Sequence, residues 1–229
     1  SGAPAFRGSV GIEDGKLTVC PGSAQVPLGN GEVIEGDGRT VTPGFIDAHS
    51  HGDLTLRGRY AALSKLSQGI TAQIAGQCGV SMFPASPNNR AQFERFVSGI
   101  APYPELPDDI ASCKSAGAFL DWLGAQDAPV QTFTFVGHGA LRLWAMGYEN
   151  RKPDAGELKR MCDMLRRCIR EGALGMSTGL VYAPCCYADN DEILTLLRVV
   201  AEEGAVYATH PRNEADTVVE ARRESLRLA

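Results

Sequence analysis

Long apolar runs are missing from this 229-residue chain: none approaches the ~20 residues needed to cross a bilayer. No basic leader with an apolar centre and a small-residue cleavage site opens it. Blocks of lysine or arginine are absent and the net charge is −5, which argues against nucleic acid or an anionic membrane as partner. Paired cysteine spacing is absent as well. The seven cysteines (Cys20, Cys78, Cys113, Cys162, Cys168, Cys185 and Cys186) are odd in number and scattered. They support neither a zinc finger nor a disulfide framework, and the adjacent Cys185 and Cys186 have no C-x-x-C frame for redox chemistry. They read as reduced thiols, most of them small buried hydrophobes, in a cytoplasmic protein. An initiator methionine is lacking too. "SGAPAFRGSV" begins without lead-in, and "NEADTVVEARRESLRLA" stops inside a helical pattern with no terminating glycine. The expectation is a piece of a longer protein, cut at both ends.

What is present is the composition of a globular enzyme, 44% apolar and 21% charged. The first forty residues read as short strands with tight turns. "GSVGIEDGKLTVC" alternates around Asp14-Gly15, a hairpin signal, and "GEVIEGDGRTVTPG" repeats the style with turns at Gly36 to Gly38 and at Pro43-Gly44. After Gly44 the rhythm becomes strand, loop, helix. Strands are expected at "GFIDAH", "ITAQIAG", "VQTFTFVGHG", "ALGMSTG" and "AVYATH". Helices are expected at "RYAALSKLSQG", "NRAQFERFVSGI", "AGAFLDWLGAQ", "DAGELKRMCDMLRRCIREG", "NDEILTLLRVVAEEG" and the tail. In the fourth of these, Asp154 is the N-cap, Glu157 completes a capping-box pattern, and Leu158, Met161, Leu165 and Cys168 with Ile169 form one apolar face. Five βα units with apolar strands imply an α/β fold with a parallel sheet. Either a doubly wound sheet or an incomplete (β/α)8 barrel accommodates them.

Every histidine falls at the end of an expected strand. His49 and His51 follow the first, His138 ends the third and His210 ends the fifth, while Cys78 follows the second. Those ends form the face on which a (β/α)8 barrel builds its active site. Residues i and i+2 of a strand point to one side, so His49 and His51 can grip one metal ion, and Cys78 can supply a thiolate. An isolated H-x-H can equally cap backbone carbonyls; His210 and Cys78 on the same face favour metal. His138 in "GHGALR" either lines the pocket or fixes a loop. Arg142 reads as a local ion-pair residue. Tyr182, after the fourth strand, either donates to a substrate oxygen or packs as a core aromatic.

In order along the chain, "PGFIDAHSHGD", "LSQGITAQIAGQCGVS", "GHGALR", "GALGMSTGLVYAP" and "YATHPRNE" resemble the D-aminoacylase (N-acyl-D-amino-acid deacylase) family of the metal-dependent amidohydrolases. The resemblance runs over almost the whole chain. It implies a partial β-sandwich domain over residues 1–43, followed over residues 44–229 by about five βα units of a (β/α)8 barrel. It implies that Cys78 and His210 hold a tightly bound zinc ion, that His49 and His51 form a weaker adjacent site, and that Tyr182 contacts the substrate; His138 is kept beside it as a candidate substrate contact from its position alone. The implied reaction is hydrolysis of the amide of an N-acyl-D-amino acid to a carboxylate and a free D-amino acid. A further zinc histidine and the aspartate acting as general base are expected beyond residue 229. No catalytic residue is therefore assigned in this chain, which by itself is expected to be inactive. Gln77 stands where the family has Asn, Gly52 where a larger or acidic residue is common, and Pro211 in place of an aliphatic residue. Two rivals remain. A cyclic-amide hydrolase of the dihydroorotase or hydantoinase kind would bridge its metals with a carboxylated lysine, which "ALGMSTG" lacks. A non-catalytic metal-binding homologue would lack the downstream ligands and base.

Overall fold

The computed structural model describes residues 4–24, 26, 31–36, 38–54, 62–85, 90–98, 109, 112–126 and 128–229. The chain divides into two units, Ser1–Thr42 and Pro43–Ala229. In the first, β1 (Gly8–Glu13) pairs antiparallel with β2 (Lys16–Pro21), with Val10 opposite Val19 and Ile12 opposite Leu17. Asp14 and Gly15 join them with φ of 50° and 71°. Positive φ at both central positions gives a type I′ turn, whose twist matches that of the strands. The second hairpin expected over residues 31–44 is not formed among the described residues. What forms is a turn in which the Arg39 amide donates to the Gly36 carbonyl at 2.8 Å. Alternation alone does not make a strand: its backbone needs a ladder partner, and Val33 and Ile34 lie exposed.

The second unit is built on parallel strands. β3 (Phe45–Asp47), β4 (Ile70–Ala75) and β5 (Gln131–Thr134) form one three-stranded sheet, and β6 (Val136–Gly137), β7 (Gly175–Gly179) and β8 (Val206–His210) another. Phe135 interrupts what the sequence presents as one strand, yet the ladder continues across it. The Phe135 amide donates to the Ala75 carbonyl at 3.0 Å, and the Leu174 amide to the Thr134 carbonyl at 2.9 Å. Each strand thus lies beside its predecessor in the chain. The described residues contain none of the strand-order reversal that defines a doubly wound sheet.

Seven helices are described: α1 (Leu63–Leu66), α2 (Arg90–Ser98), α3 (Ala116–Gly124), α4 (His138–Met146), α5 (Ala155–Arg170), α6 (Asn190–Glu202) and α7 (Val218–Leu228). Among the described residues no helix is long and apolar enough to cross a membrane. The part of the first expected helix before Ala62, and the end of the second after Ser98, lie outside the described residues. α4 is the element the sequence reading missed; the third strand stops at Gly137 and His138 opens a helix. Its residues are nearly all buried, so it has no polar face to set a 3.6-residue period. The core beneath the sheets joins Phe83, Phe96 and Phe119 to Met161 and Leu165 of α5, Met176 of β7 and Leu196 of α6. Phe83 and Phe119 lie 5.3 Å apart between ring centres.

At the start of α5 the expected capping box is complete: the Glu157 amide donates to Asp154 Oδ1 at 2.7 Å and the Asp154 amide to Glu157 Oε2 at 2.8 Å. Arg151 adds two bonds to the Glu157 carboxylate at 2.6 and 2.7 Å. Chiefly through Arg151, Glu157 is held at about 2, against an ordinary 4.5. A carboxyl whose folded value is depressed contributes stability above its unfolded value and loses it as pH falls. Unfolding free energy should therefore decline between pH 4.5 and about 2, and Glu157→Gln should flatten that decline in urea titrations. Asp154→Ala should lower stability by about 1 kcal/mol at neutral pH.

Candidate metal centre

Four histidine and cysteine side chains meet where β3, β4 and β8 end, and hydrogen bonds explain how each is held. Beyond β3 the Ser50 amide donates to the Ile74 carbonyl at 3.0 Å, keeping the segment in register with β4. The Ser50 hydroxyl accepts from the Gly52 amide and from Lys65 Nζ, each at 2.9 Å, and donates to Gln73 Oε1 at 2.9 Å. Gln73, buried in β4, donates in turn to Thr132 Oγ1 at 2.9 Å. Lys65 also binds Asp47 Oδ2 at 2.5 Å, and the other Asp47 oxygen accepts the His49 amide at 3.3 Å. The residue between the two histidines is therefore anchored inward while the histidines stay on the opposite side.

Cys78 sits in a turn closed by the Val80 amide donating to the Gln77 carbonyl at 2.9 Å. Its φ is +54° and that of Gly79 is +75°. Positive φ is uncommon outside glycine, costs of order 1 kcal/mol or more, and persists only where the surroundings impose it. Here they do. The Gly79 amide donates to Ser177 Oγ at 3.0 Å, and the Gly79 carbonyl accepts from the Gly139 amide at 2.9 Å. Ser177 Oγ donates to the Gly76 carbonyl. Gln77 Nε2 donates to the Ala48 carbonyl at 3.1 Å, and the Gly76 amide to Asp53 Oδ2 at 3.3 Å. The last two bonds tie the cysteine turn directly to the histidine segment.

The Cys78 sulfur lies 3.4 Å from His49 Nε2 and 3.7 Å from His210 Nδ1. The ligand atoms of His49, His51 and Cys78 all fall within 4.8 Å of one another. Two ligands of one tetrahedral zinc, with Zn–S of about 2.3 Å and Zn–N of about 2.0 Å, are separated by roughly 3.6 Å. The sulfur–nitrogen distances fit that spacing. His51 Nδ1 is buried and has no hydrogen-bond partner among the described residues, as expected of a nitrogen waiting for a cation. Burial, helped by the neighbouring His49 and His210, pushes the His51 imidazole down, toward the neutral form a metal accepts. Burial and then Glu214 push the Cys78 thiol up. A bound cation would reverse that preference by stabilising the thiolate. His210 Nε2 faces Glu214 Oε2 at 3.2 Å, leaving Nδ1 toward the sulfur. Tyr182 meets the His210 ring edge-on at 5.0 Å, and burial raises its phenol, keeping the hydroxyl a donor.

The structure thus brings His49, His51, Cys78 and His210 together and sets Tyr182 beside them. His138 lies among other partners. It is fully buried with Nε2 2.8 Å from Glu192 Oε1, while Arg142 Nη1 holds the other oxygen at 2.5 Å. Burial pushes the Glu192 carboxyl up, but His138 and Arg142 outweigh it and hold it below its ordinary value. Several supporting groups escaped the sequence reading, Ser50, Lys65 and Ser177 among them, and two show why. Glu214 had a legible signal, its i+4 spacing from His210 in "HPRNE". Gln73 had none, because a polar residue inside an apolar strand declares no partner.

The sequence matches the Amidohydrolase family over residues 32–210. It is 35% identical to the N-acyl-D-aspartate deacylase of Alcaligenes xylosoxydans xylosoxydans, over 98% of this chain and 43% of that protein. It is 36% identical to the N-acyl-D-glutamate deacylase of the same organism, over 95% of this chain and 42% of that protein. The crystal structure of N-acyl-D-glutamate deacylase from Bordetella bronchiseptica, complexed with zinc and a phosphonate mimic of the tetrahedral intermediate, superposes with a TM-score of 0.84 at 34% identity. It covers all of this chain and 46% of that one. The chain spans less than half the length of each of these three relatives.

The cysteine turn generates one expectation of its own. A Cβ on Gly79 would lie 2.8 Å from Cys185 Sγ and 2.9 Å from the Gly179 nitrogen, at a φ that side chains avoid. Gly79→Ala should cost about 1–3 kcal/mol of stability in urea denaturation, more than alanine at the exposed Gly204 of similar φ, where nothing lies within 4 Å.

Proposed function

This chain belongs to the amidohydrolase family, and we propose that its His49–His51–Cys78–His210 cluster is a zinc site serving hydrolysis of the amide bond of an N-acyl-D-amino acid. The observation that carries the proposal is the convergence of three strand ends on one sulfur, with imidazole nitrogens of His49 and His210 on either side of it at ligand spacing. In this reading Cys78 and His210 hold the tightly bound ion, and His49 and His51 an adjacent second one. Zinc there supplies Lewis-acid polarisation of an amide carbonyl and activation of a water as nucleophile. The chain's own residues do the positioning. Glu214 sets the His210 ring so that Nδ1 faces the site, in the manner of carboxylates behind metal-bound histidines. Ser50, Gln73 and Lys65 keep the two histidines at fixed spacing. The Tyr182 hydroxyl is the donor available to a substrate oxygen.

The sequential order of β3 to β8 is that of a (β/α)8 barrel, and we assign residues 44–229 to about five βα units of one, with residues 1–43 as part of a small β-sandwich domain. The active face of such a barrel lies at the C-terminal ends of its strands, where the cluster is found. A reducing, cytoplasmic setting suits seven free cysteines. The names of the relatives, deacylases of N-acyl-D-aspartate and N-acyl-D-glutamate, supply the substrate class.

Zinc titration of this chain, with metal content read by mass spectrometry, is the direct test. Wild type should bind at least one ion, and Cys78→Ala should lose most of it; unchanged zinc content in Cys78→Ala would overturn the assignment. In the whole protein that contains this chain, a chelator should abolish release of D-amino acid from N-acyl-D-amino acids and zinc should restore it. Equal hydrolysis of N-acyl-L-amino acids would sink the substrate class.

A further inference from the structure

Arg142, His138 and Glu192 form an ionic cluster shut off from solvent, with side-chain exposures of 0% for the two bases and 1% for the acid. Buried ion pairs cost much of what they gain, and apolar replacements are often as stable. Net stability alone therefore does not account for one here; its placement does. His138 and Arg142 lie four residues apart on α4, so both reach the same face of the helix, and both bind the single carboxylate of Glu192 on α6. Arg142 further donates to the Arg151 carbonyl at 2.9 Å. Apolar packing lets a helix slide or roll, because it is non-directional. Two directional bonds to one carboxylate fix both motions.

What α4 would carry with it is the cysteine turn. The two residues flanking His138 both touch that turn. The Gly139 amide donates to the Gly79 carbonyl at 2.9 Å, and a Cβ on Gly137 would come 2.5 Å from the same oxygen. The Gly137 amide is itself held by Ser81 Oγ at 2.9 Å. Gly79 follows Cys78 directly, so the start of α4 is the surface against which the sulfur's backbone is set.

We propose that His138, through Glu192, is a positioning residue that locks the start of α4 and thereby holds the Cys78 turn in its positive-φ, metal-ready conformation. The inference rests on the zinc-site reading of Cys78 above. Its prediction concerns two quantities that core packing elsewhere would not move: the zinc affinity of the folded chain, and the rate at which iodoacetamide alkylates Cys78 in the zinc-free chain, read on its own peptide. His138→Phe fills the space but removes the bond to Glu192, leaving Arg142–Glu192 intact; His138→Ala serves if the phenylalanine does not fold. Either should raise the zinc Kd by about tenfold or more, the range seen for groups behind metal ligands. Alkylation of Cys78 should speed up by a similar factor of about ten, as local opening becomes easier. His138→Gln, whose amide can donate to Glu192 from nearly the same place, should restore both to within about threefold. Leu165→Ala, in the buried face of α5, should lower the unfolding temperature without moving either quantity. Wild-type zinc affinity and alkylation rate in the phenylalanine or alanine variant would overturn the proposal, as would equal effects from Leu165→Ala. A wild-type chain that binds no zinc would overturn the metal reading instead, and the alkylation rates would still decide whether His138 holds the turn.

Discussion

Gly79 is held at both of its backbone polar groups, by Ser177 of β7 at its amide and by Gly139 of α4 at its carbonyl, so the two peptide groups that flank its Cα are both fixed. Remove either partner and a buried backbone group is left unpaired, at a cost of about 1–3 kcal/mol. Together they compel the chain to turn sharply after β4, with φ of Cys78 on the side that L-residues avoid. That one constraint explains why a cysteine rather than a β-branched residue can occupy position 78. It also explains why glycine follows it, and why the sulfur faces His49 and His210 rather than the core.

The rest of the second unit can be understood as the scaffold for this convergence. Parallel strands laid in chain order bring the ends of β3, β4 and β8 to a common face, and α5 and α6 cover the far side with Met161, Leu165 and Leu196. Polar residues inside the sheet act as struts. Gln73 links Ser50 to Thr132, and Ser177 links Gly76 to Gly79. Each is satisfied, which is the condition under which buried polarity rigidifies a site rather than weakening it.

How much of this was legible beforehand follows from whether a signal is local. The Asp154–Glu157 capping box and the apolar face of α5 are patterns within a few residues, and they appear in the structure where the sequence placed them. So do the strand that ends on His210 and those that lead into the His49 and Cys78 segments. α4 was invisible because burial on all sides erases periodicity, and the break at Phe135 because no local residue marks it. The strands expected over residues 31–44 do not form among the described residues, where a local alternation is present without a ladder partner. "GHG" tells only that the backbone is crowded; that the crowding neighbour is Gly79, about sixty residues earlier in the chain, is not written nearby.

Between His49 and His51 stands Ser50, whose side chain points the other way and is bonded to Gln73, Lys65 and the Gly52 amide. Three consecutive residues beyond the end of β3 thereby divide two tasks, the histidines grouping with the sulfur and the serine bonding back to β4 and α1. The intervening position is a keel, not a spacer. Inserting or deleting one residue would part the histidines from the anchor that Ser50 provides. The three-residue motif is in this sense indivisible: its length is set by the serine's bonds to Gln73 and Lys65 between the two histidines.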